Sequence, residues 1–364
     1  MLSFASRAVW MGASLSALLS VTAIAKTQNT YLGQPIEAID IHMHPGRYED
    51  LGPVGRDYLR DSLPNFLPAF LKDLSLSAAS SFLLNPYGAW IGIKSDCEKA
   101  GVTMCGLFSV YAPDTWGVTA NETVIGYLND RRNIKADGKP LFFGLASVRM
   151  KPWASIEQEQ LKNLRTALDH PLMKGIKLAF IHNSIPLDDA QYDSIYTVAE
   201  ERQVPVYHHV GSSPLRKLTD FETAEEQEEY LKSYDPSRLE RAIKKFPKVT
   251  FILGHMGFDF NREGHSSVDK VFELAQRYPN VYLEISAFGG PLQDPNGSEM
   301  DVILKGIKDR KLIDRTIYGS DGPTIPGGTG DYLKGTLASM ERQGYTLEEA
   351  RAVLIANTRR IFKL

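Results

Sequence analysis

The chain has 364 residues, with 41 lysines and arginines against 44 aspartates and glutamates, so its net charge is −3 with histidine neutral. This near balance argues against a nucleic-acid-binding protein, which usually carries a basic excess. A hydrophobic content of 43% excludes wholesale disorder. The two cysteines are too few for a multi-disulfide scaffold.

The N-terminal segment 1–25 has the pattern of a secretory signal peptide. Arg7 gives a weakly positive start, an uncharged run of apolar and small residues follows, and Ala-Ile-Ala at 23–25 matches a cleavage site. The run is shorter than the about 20 residues of a membrane-spanning helix. We expect cleavage after Ala25, a periplasmic or secreted mature protein (26–364), and no membrane association after cleavage. The alternative is an uncleaved N-terminal anchor.

After Thr30, β-branched or apolar runs alternate with amphipathic stretches rich in Glu and Lys. The predicted strands are Ile36–His42, Val102–Tyr111, Pro140–Arg149, Gly175–Phe180, Pro205–His209, Val249–His255, Val281–Ser286 and Thr316–Ser320. The predicted helices are Glu122–Arg132, Ile156–Leu168, Asp189–Arg202, Pro236–Phe246, Val268–Arg277, Met300–Asp309, Asp331–Gln343 and Leu347–Asn357. Eight such units predict an α/β fold, a single-domain (β/α)₈ TIM barrel. A doubly wound open sheet is the alternative, but no Gly-rich dinucleotide turn follows the first strand.

Two insertions interrupt this rhythm. Residues 45–96 separate the first two strands and carry Leu63, Phe66, Leu67, Phe70, Leu71 and Leu74 at helical spacing. We interpret this inserted helical segment as a cap or a homodimer contact; direct substrate binding is the alternative. The segment 211–234 is acidic, which is typical of a solvated helix face.

Cys97 falls at the end of the first insertion, in a predicted helix, and Cys105 lies in the next strand. An oxidising compartment permits a disulfide between them, but the geometry of a disulfide is strict. We expect free thiols, with a disulfide as the alternative.

Four of the eight histidines lie at strand ends. His42 and His44 end the first strand, His209 the fifth and His255 the sixth, and Asp321 follows the eighth. The carboxyl ends of barrel strands open on one face, where barrel active sites lie. These five side chains are therefore expected to converge.

The spacing of these residues suits a metal site. Residues i and i+2 of a strand point the same way, so His42 and His44 project together. With His209 and Asp321 they make a set of three nitrogens and one oxygen, which fits zinc and also manganese, cobalt or iron. An ion with an open coordination position activates water as a nucleophile. His208 alternates to the other face, and we expect His170, His182 and His265 on the surface, with His182 the nearest to a pocket.

The motifs in these strands resemble those of the amidohydrolase superfamily. They are D-I-H-M-H at 40–44, K-G-I-K-L at 174–178, Y-H-H-V-G at 207–211, L-G-H-M-G at 253–257, P-N-V-Y-L-E-I-S at 279–286, Y-G-S-D-G-P at 318–323 and N-T-R-R-I-F-K-L at 357–364. The chain is most similar to the amidohydrolase-2 group, which is related to aminocarboxymuconate-semialdehyde decarboxylase. The resemblance covers nearly all of the mature chain except the two insertions.

The resemblance implies a metal-dependent TIM-barrel enzyme. By motif, it assigns metal binding to His42, His44, His209 and Asp321. His255 would be the acid/base or oxyanion-stabilising residue, and Asp321 would also accept a proton from water. These roles make His255 and Asp321 the expected catalytic residues.

Lys177 permits two interpretations. In parts of the superfamily a fourth-strand lysine is carboxylated and bridges two metal ions; elsewhere it binds a substrate carboxylate or leans on the barrel wall. We favour one Zn²⁺ ion. Arg149 is a second candidate for holding an anionic substrate. The family often has His-Pro after G-I-K-L, where this chain has Ala179-Phe180. Glu284 either supports the site or is part of the barrel structure.

The favoured function is hydrolysis of a C–O or C–N bond in a lactone, ester or amide, with a small molecule as substrate. The alternative is non-oxidative decarboxylation of an unsaturated or aromatic acid. A non-catalytic binding barrel is a third hypothesis, which the complete ligand set disfavours. A serine hydrolase is disfavoured because the sequence has no G-x-S-x-G motif.

Overall fold

The computed structural model describes residues 28–287, 294–323 and 325–364. The predicted signal peptide therefore lies outside the described residues. Eight parallel strands form one sheet in which neighbours along the chain are neighbours in space. These strands, β1 to β8, are Ala38–Met43, Val102–Phe108, Phe142–Ala146, Met173–Leu178, Val206–Gly211, Phe251–Phe258, Val281–Ile285 and Thr316–Tyr318. Each of the eight predicted strands has a counterpart, but the predicted Val102–Tyr111 strand ends at Phe108, and Val110–Ala112 pairs instead with Gly117–Thr119 in a small antiparallel sheet.

The segment after β8 returns to the end of β1 and brings the two edges of the sheet together. The His44 amide donates to the Gly322 carbonyl at 2.7 Å, and the Gly322 amide donates to the His42 carbonyl at 3.0 Å. Two residues before Gly322, the Ser320 amide donates to Asp40 Oδ1 at 3.0 Å. The sheet is therefore a nearly closed (β/α)₈ barrel, and the open doubly wound sheet is excluded.

Helices surround this barrel. They are, as α1 to α13, Pro53–Asp61, Ala69–Leu83, Ile93–Lys99, Asn121–Asn129, Trp153–Leu168, Asp193–Arg202, Ala224–Lys232, Glu240–Lys245, Val268–Arg277, Ser298–Asp309, Gly328–Arg342, Leu347–Arg351 and Asn357–Phe362. The single helix predicted over Leu347–Asn357 is interrupted by a π-helical turn at Ala352–Ala356. None of the helices in the described part of the chain combines the length and apolar character needed to cross a bilayer.

Side chains of alternate strand residues divide the core into two layers. Ile39, Ile41, Phe143, Leu145 and Ile252 belong to one cluster of buried residues within the barrel. A larger cluster packs the outer strand faces against the helices. Because the barrel interior is filled with apolar groups, the polar side chains near the strand ends are held at fixed positions.

The first insertion forms α1 and α2, with α3 leading back into β2. The apolar spacing correctly predicts a helix, but most of the predicted stripe faces outward: Phe66 is 83% exposed and Phe70 68%. A small core of Tyr48, Leu51, Leu63 and Leu76 packs beneath these helices. An exposed apolar stripe is compatible with a homodimer contact, which stays a prediction.

Cys97 on α3 and Cys105 on β2 form a disulfide, with their Cα atoms 7.0 Å apart. The expectation of free thiols is wrong. Both cysteines are fully buried in the larger core cluster, because α3 folds back onto the strand that follows it. Sequence spacing could not show this packing.

Candidate metal centre

The end of β1 brings two imidazoles and one carboxylate into contact. The His42 and His44 Nε2 atoms lie 3.0 Å apart. Asp321 Oδ1 lies 3.1 Å from His42 Nε2 and 3.2 Å from His44 Nε2. His42 is fully buried and the Asp321 side chain is 30% exposed, so the cluster meets solvent on the Asp321 side. The predicted convergence of His42, His44 and Asp321 is thus observed.

His255 joins this cluster from β6. Its ring centroid lies 5.1 Å from that of His42, and ligand atoms of His42, His255 and Asp321 all lie within 4.8 Å of one another. His255 has a backbone φ of +59° where the β5–β6 register shifts, and Asp321 has a φ of +60°. Left-handed conformations of residues other than glycine cost about 1–2 kcal/mol each and often mark functional sites.

His209 lies beside His255, with 4.3 Å between their ring centroids. The Nε2 atom of His209 is 3.0 Å from the Ser212 carbonyl oxygen, which can only accept a hydrogen bond. This nitrogen therefore carries the proton of a neutral His209, and Nδ1 is left as its lone-pair nitrogen. Metal ligation by His209 stays a prediction.

The neighbouring His208 points to the opposite face, as strand alternation predicts. Its Nε2 atom forms a hydrogen bond of 2.9 Å with the Tyr196 hydroxyl, and its ring stacks on Phe180 and Phe251. His208 is therefore part of the outer core.

Burial sets the protonation states at the barrel mouth. It lowers the pKa of His44 to about 4 and that of His209 to about 3, and it also holds the pKa of His255 well below the ordinary value. Burial alone would raise the pKa of Asp321, but the adjacent His42 and His44 outweigh it and hold that pKa below its usual range. Neutral imidazoles and an ionised carboxylate are the forms that bind metal ions.

The donor set fits a divalent ion. Two imidazole nitrogens and a carboxylate oxygen face one another at 3.0–3.2 Å. Lone pairs meeting at such distances are stabilised by a cation between them. His42, His44 and Asp321 are the residues placed to hold it, and His255 lies beside them.

Lys177 lies inside the barrel and is almost fully buried. Its ammonium group lies 4.4 Å from the centre of the Tyr207 ring and 5.4 Å from that of Phe108. Burial lowers its pKa to about 7, although the charges of Asp321 and Glu284 act in the opposite direction. Within the described residues this ammonium has no ion-pair partner at contact distance, so it is available to a ligand.

Arg149 is not brought to this cluster. Its side chain is exposed and donates from Nε to the Lys151 carbonyl oxygen at 3.1 Å. Its predicted role in substrate binding stays a prediction.

A second layer of polar residues lies beneath the histidines. Glu284 on β7 accepts hydrogen bonds at 3.0 Å from His42 Nδ1, at 3.2 Å from the Tyr207 hydroxyl and at 2.7 Å from the Ser286 hydroxyl. The sequence pattern leaves the role of Glu284 open and does not single out Tyr207 or Ser286. Strand alternation was the available signal, because Tyr207 precedes the inward-facing His209 by two residues and Glu284 precedes Ser286 by two.

Two glycines leave room for this layer. A Cβ atom on Gly319 would overlap Glu284 Oε1, and a Cβ atom on Gly254 would overlap the Tyr207 hydroxyl. Each glycine lies on or just after a strand adjacent to the residue it accommodates. Because neither glycine has a side chain, Glu284 and Tyr207 have the space to reach His42.

Aromatic residues line the mouth above the cluster. Trp116 lies with its ring centroid 5.3 Å from that of His44, and Phe260 lies 5.4 Å from that of His255. His182, expected on the surface, lies 5.3 Å from the ring of His209. The mouth therefore has flat apolar walls around a polar floor.

Comparisons with known proteins agree with this geometry. A model of the amidohydrolase family matches residues 123–364. A search of curated proteins found no match. Among solved structures, an uncharacterised TIM-barrel protein from Bordetella bronchiseptica is similar, with 16% identity, a TM-score of 0.58, and coverage of 90% of this chain and 99% of that chain.

Two further similar structures carry named activities. A candidate 2-pyrone-4,6-dicarboxylic acid hydrolase from Pseudomonas putida is 15% identical, with a TM-score of 0.52 and coverage of 90% of this chain and 97% of its own. The 5-carboxyvanillate decarboxylase from Sphingomonas paucimobilis is 12% identical, with a TM-score of 0.54 and coverage of 90% and 99%. At these identities the likeness shows the fold. The family match, which spans more than half of the chain, shows more: this protein belongs to the amidohydrolase family and is a metal-dependent enzyme of that superfamily.

Proposed function

We propose that the protein is a hydrolase that cleaves a C–O or C–N bond in a small anionic lactone, ester or amide. The observation that carries this proposal is the buried cluster of His42, His44, His255 and Asp321 at the solvent-facing end of the barrel. A divalent ion held there would act as a Lewis acid toward a carbonyl group and would lower the pKa of water.

Two residues of the cluster can handle protons. Asp321 is ionised and partly exposed, so it can accept a proton from the attacking water. His255 is neutral and buried beside it, so it can accept that proton and, once protonated, stabilise the negative charge that develops on the substrate oxygen. Having two acceptors suits a reaction in which water adds and a leaving group must then be protonated.

Lys177 supports an anionic substrate. Its ammonium group is buried and has no ion-pair partner at contact distance among the described residues. A substrate carboxylate in contact with it would restore the charged form that burial disfavours. Arg149 is exposed, so the proposal rests on Lys177.

Non-oxidative decarboxylation is the second candidate. The observation that favours it is the pair of aromatic walls, Trp116 and Phe260, which could enclose a planar aromatic acid. The names of the similar structures include both a hydrolase of a pyrone dicarboxylic acid and decarboxylases of aromatic acids.

We further propose one Zn²⁺ ion per chain and an extracytoplasmic location. The set of His42, His44, His209 and Asp321 that the sequence motifs indicate, with three nitrogens and one oxygen, suits zinc. The disulfide between Cys97 and Cys105 supports export, because such bonds persist in oxidising compartments. A cytoplasmic protein recovered with both thiols free would contradict the location.

The reaction is tested by incubating the Zn²⁺-loaded mature chain with lactones, esters, amides and aromatic carboxylic acids. Hydrolysis is expected to give a hydroxy acid from a lactone, acid and alcohol from an ester, or acid and amine from an amide, with no gas, and to transfer oxygen from ¹⁸O-labelled water into the acid. Carbon dioxide release without incorporation of ¹⁸O into the organic product would replace hydrolysis by decarboxylation. Turnover that persists fully in the metal-stripped protein would contradict both reactions.

A further inference from the structure

We propose that Glu284 is a positioning residue whose single carboxylate fixes which ring nitrogen of both His42 and His255 faces the metal cluster. It reaches His42 directly and His255 through the Ser286 hydroxyl. The part concerning His42 follows from the metal site. The part concerning His255 rests on the proposed function for its catalytic meaning.

The contact with His42 is the direct one. Glu284 Oε1 lies 3.0 Å from His42 Nδ1, and both side chains are fully buried. A carboxylate only accepts hydrogen bonds, so His42 Nδ1 must carry the proton. The lone pair of a neutral His42 is then on Nε2, which is the nitrogen that lies 3.1 Å from Asp321 Oδ1. Glu284 thereby aims the ligating atom.

Tyr207 is consistent with this assignment. Its hydroxyl lies 3.1 Å from His42 Nδ1 and 3.2 Å from Glu284 Oε2. Because the hydroxyl has one proton and His42 Nδ1 already has one of its own, Tyr207 donates to the carboxylate. The second carboxylate oxygen is thus satisfied as well.

The contact with His255 passes through one serine. The Ser286 hydroxyl lies 2.7 Å from Glu284 Oε2 and 2.8 Å from His255 Nδ1. The Ser286 hydroxyl donates its single hydrogen to the carboxylate, so its oxygen accepts a hydrogen bond from the Nδ1–H group of His255. The lone pair of a neutral His255 is then on Nε2. The main-chain amide of His255 also donates to Glu284 Oε2 at 3.2 Å, which fixes the residue at the strand irregularity.

One carboxylate therefore controls two residues with different tasks. A neutral imidazole carries one ring N–H hydrogen, and in both His42 and His255 that hydrogen is on Nδ1. The Nε2 atom of each ring is therefore unprotonated. His42 can then bind a cation, and His255 can accept a proton or bind a cation as the reaction begins. Residues that orient metal-bound histidines in this way typically contribute about 10- to 100-fold to metal affinity.

The first test uses the unmutated protein, so that folding of a variant does not enter. With ¹⁵N-labelled histidine, long-range proton–nitrogen NMR spectra distinguish the two neutral tautomers. Both His42 and His255 are expected to carry the proton on Nδ1 in the Zn²⁺-stripped and the Zn²⁺-loaded protein. A proton on Nε2 of His42 in either sample would overturn the proposal.

The second test uses variants. Glu284→Gln places an amide against the same donors, and we expect its Zn²⁺ affinity, measured by competition with a chromophoric chelator, to fall about 10- to 100-fold. The matched control is Glu201→Gln, because Glu201 pairs with Arg165 on the outer surface. Zn²⁺ binding by Glu284→Gln within twofold of the control would overturn the proposal.

Ser286→Ala separates the two branches. It is expected to remove the fixed Nδ1 proton of His255 and give a mixture of tautomers, whereas the spectrum of His42 stays unchanged. An unchanged His255 spectrum would overturn the serine relay. None of these measurements uses a substrate, so their results can be interpreted even if the proposed hydrolysis is wrong. A failure of the proposed hydrolysis would be recognised separately, by the absence of turnover.

Discussion

The metal cluster and the α1–α2 insertion lie at the same end of the barrel, because the insertion leaves from the end of β1, yet they are held differently. The cluster lies at strand ends and is fixed by buried hydrogen bonds that the carboxylates of Glu284 and Asp40 accept. The insertion is fastened by a partly exposed contact in which Arg60 and Tyr48 both bind Asp73. The cluster is therefore held by buried contacts at the strand ends, whereas the insertion also depends on contacts that solvent reaches.

One loop joins the two regions. The main-chain amides of Val54 and Gly55 in α1 donate to the carbonyls of Asp114 and Thr115. The Thr115 hydroxyl donates to the His182 carbonyl at 2.9 Å, and the adjacent Trp116 packs beside His44. Changes in the insertion can therefore reach the aromatic wall while leaving the ligands in place.

The largest expected effect on turnover and metal content comes from a substitution in the metal cluster. His42→Ala removes a proposed metal ligand that is itself fully buried, so we expect loss of the bound metal ion and a fall of about 10³-fold or more in turnover. His170→Ala is the control, because His170 contacts Asn129 on the outside of the barrel. Metal analysis of the purified variants decides the outcome. One ion per chain in His42→Ala would show that the cluster is not the metal site.

The next largest effect is expected at the buried ammonium group of Lys177. We expect Lys177→Met to lower kcat/KM for an anionic substrate about 30- to 100-fold, the value of one charge-assisted contact, with metal content unchanged. Lys174→Met, on the same strand, should have little effect because that side chain is half-buried on the other face. A loss of half of the metal would instead favour a carboxylated Lys177 that bridges two ions.

A moderate effect is expected where the insertion rejoins the barrel. Cys97→Ala removes a disulfide that closes a short loop between α3 and β2, and we expect the free energy of unfolding to fall by about 2–3 kcal/mol. Denaturant unfolding measures this change, with metal content as the control. A variant as stable as the parent would mean that α3 is held by packing alone.

The smallest effect is expected on the exposed stripe of α2. Phe70→Ser changes a side chain that is 68% exposed, so in a monomer we expect a change in stability within about 0.5 kcal/mol and no change in metal content. Sedimentation measurements accompany this test. A dimeric parent that becomes monomeric on this substitution would confirm the predicted homodimer contact.

The barrel and most of its mouth could be predicted from the sequence, because strands alternate with a period of two and end in recognisable polar residues. His42, His44 and Asp321 meet as that pattern predicts. The Glu284 network was harder to foresee, since it depends on space that Gly254 and Gly319 leave on neighbouring strands. The disulfide and the exposed face of α2 depend on how helices dock, which helical spacing leaves open.

The closure of the barrel between β1 and the segment after β8 has a consequence for biosynthesis. Asp40 and Ser320, which hydrogen-bond across this seam, are 280 residues apart in the chain. Contacts of such long range form late, and a nascent chain that still lacks its last β-α unit cannot bring His42 and Asp321 together. Metal binding at the proposed site would therefore report that synthesis and folding are complete, and prematurely terminated chains should remain without the ion.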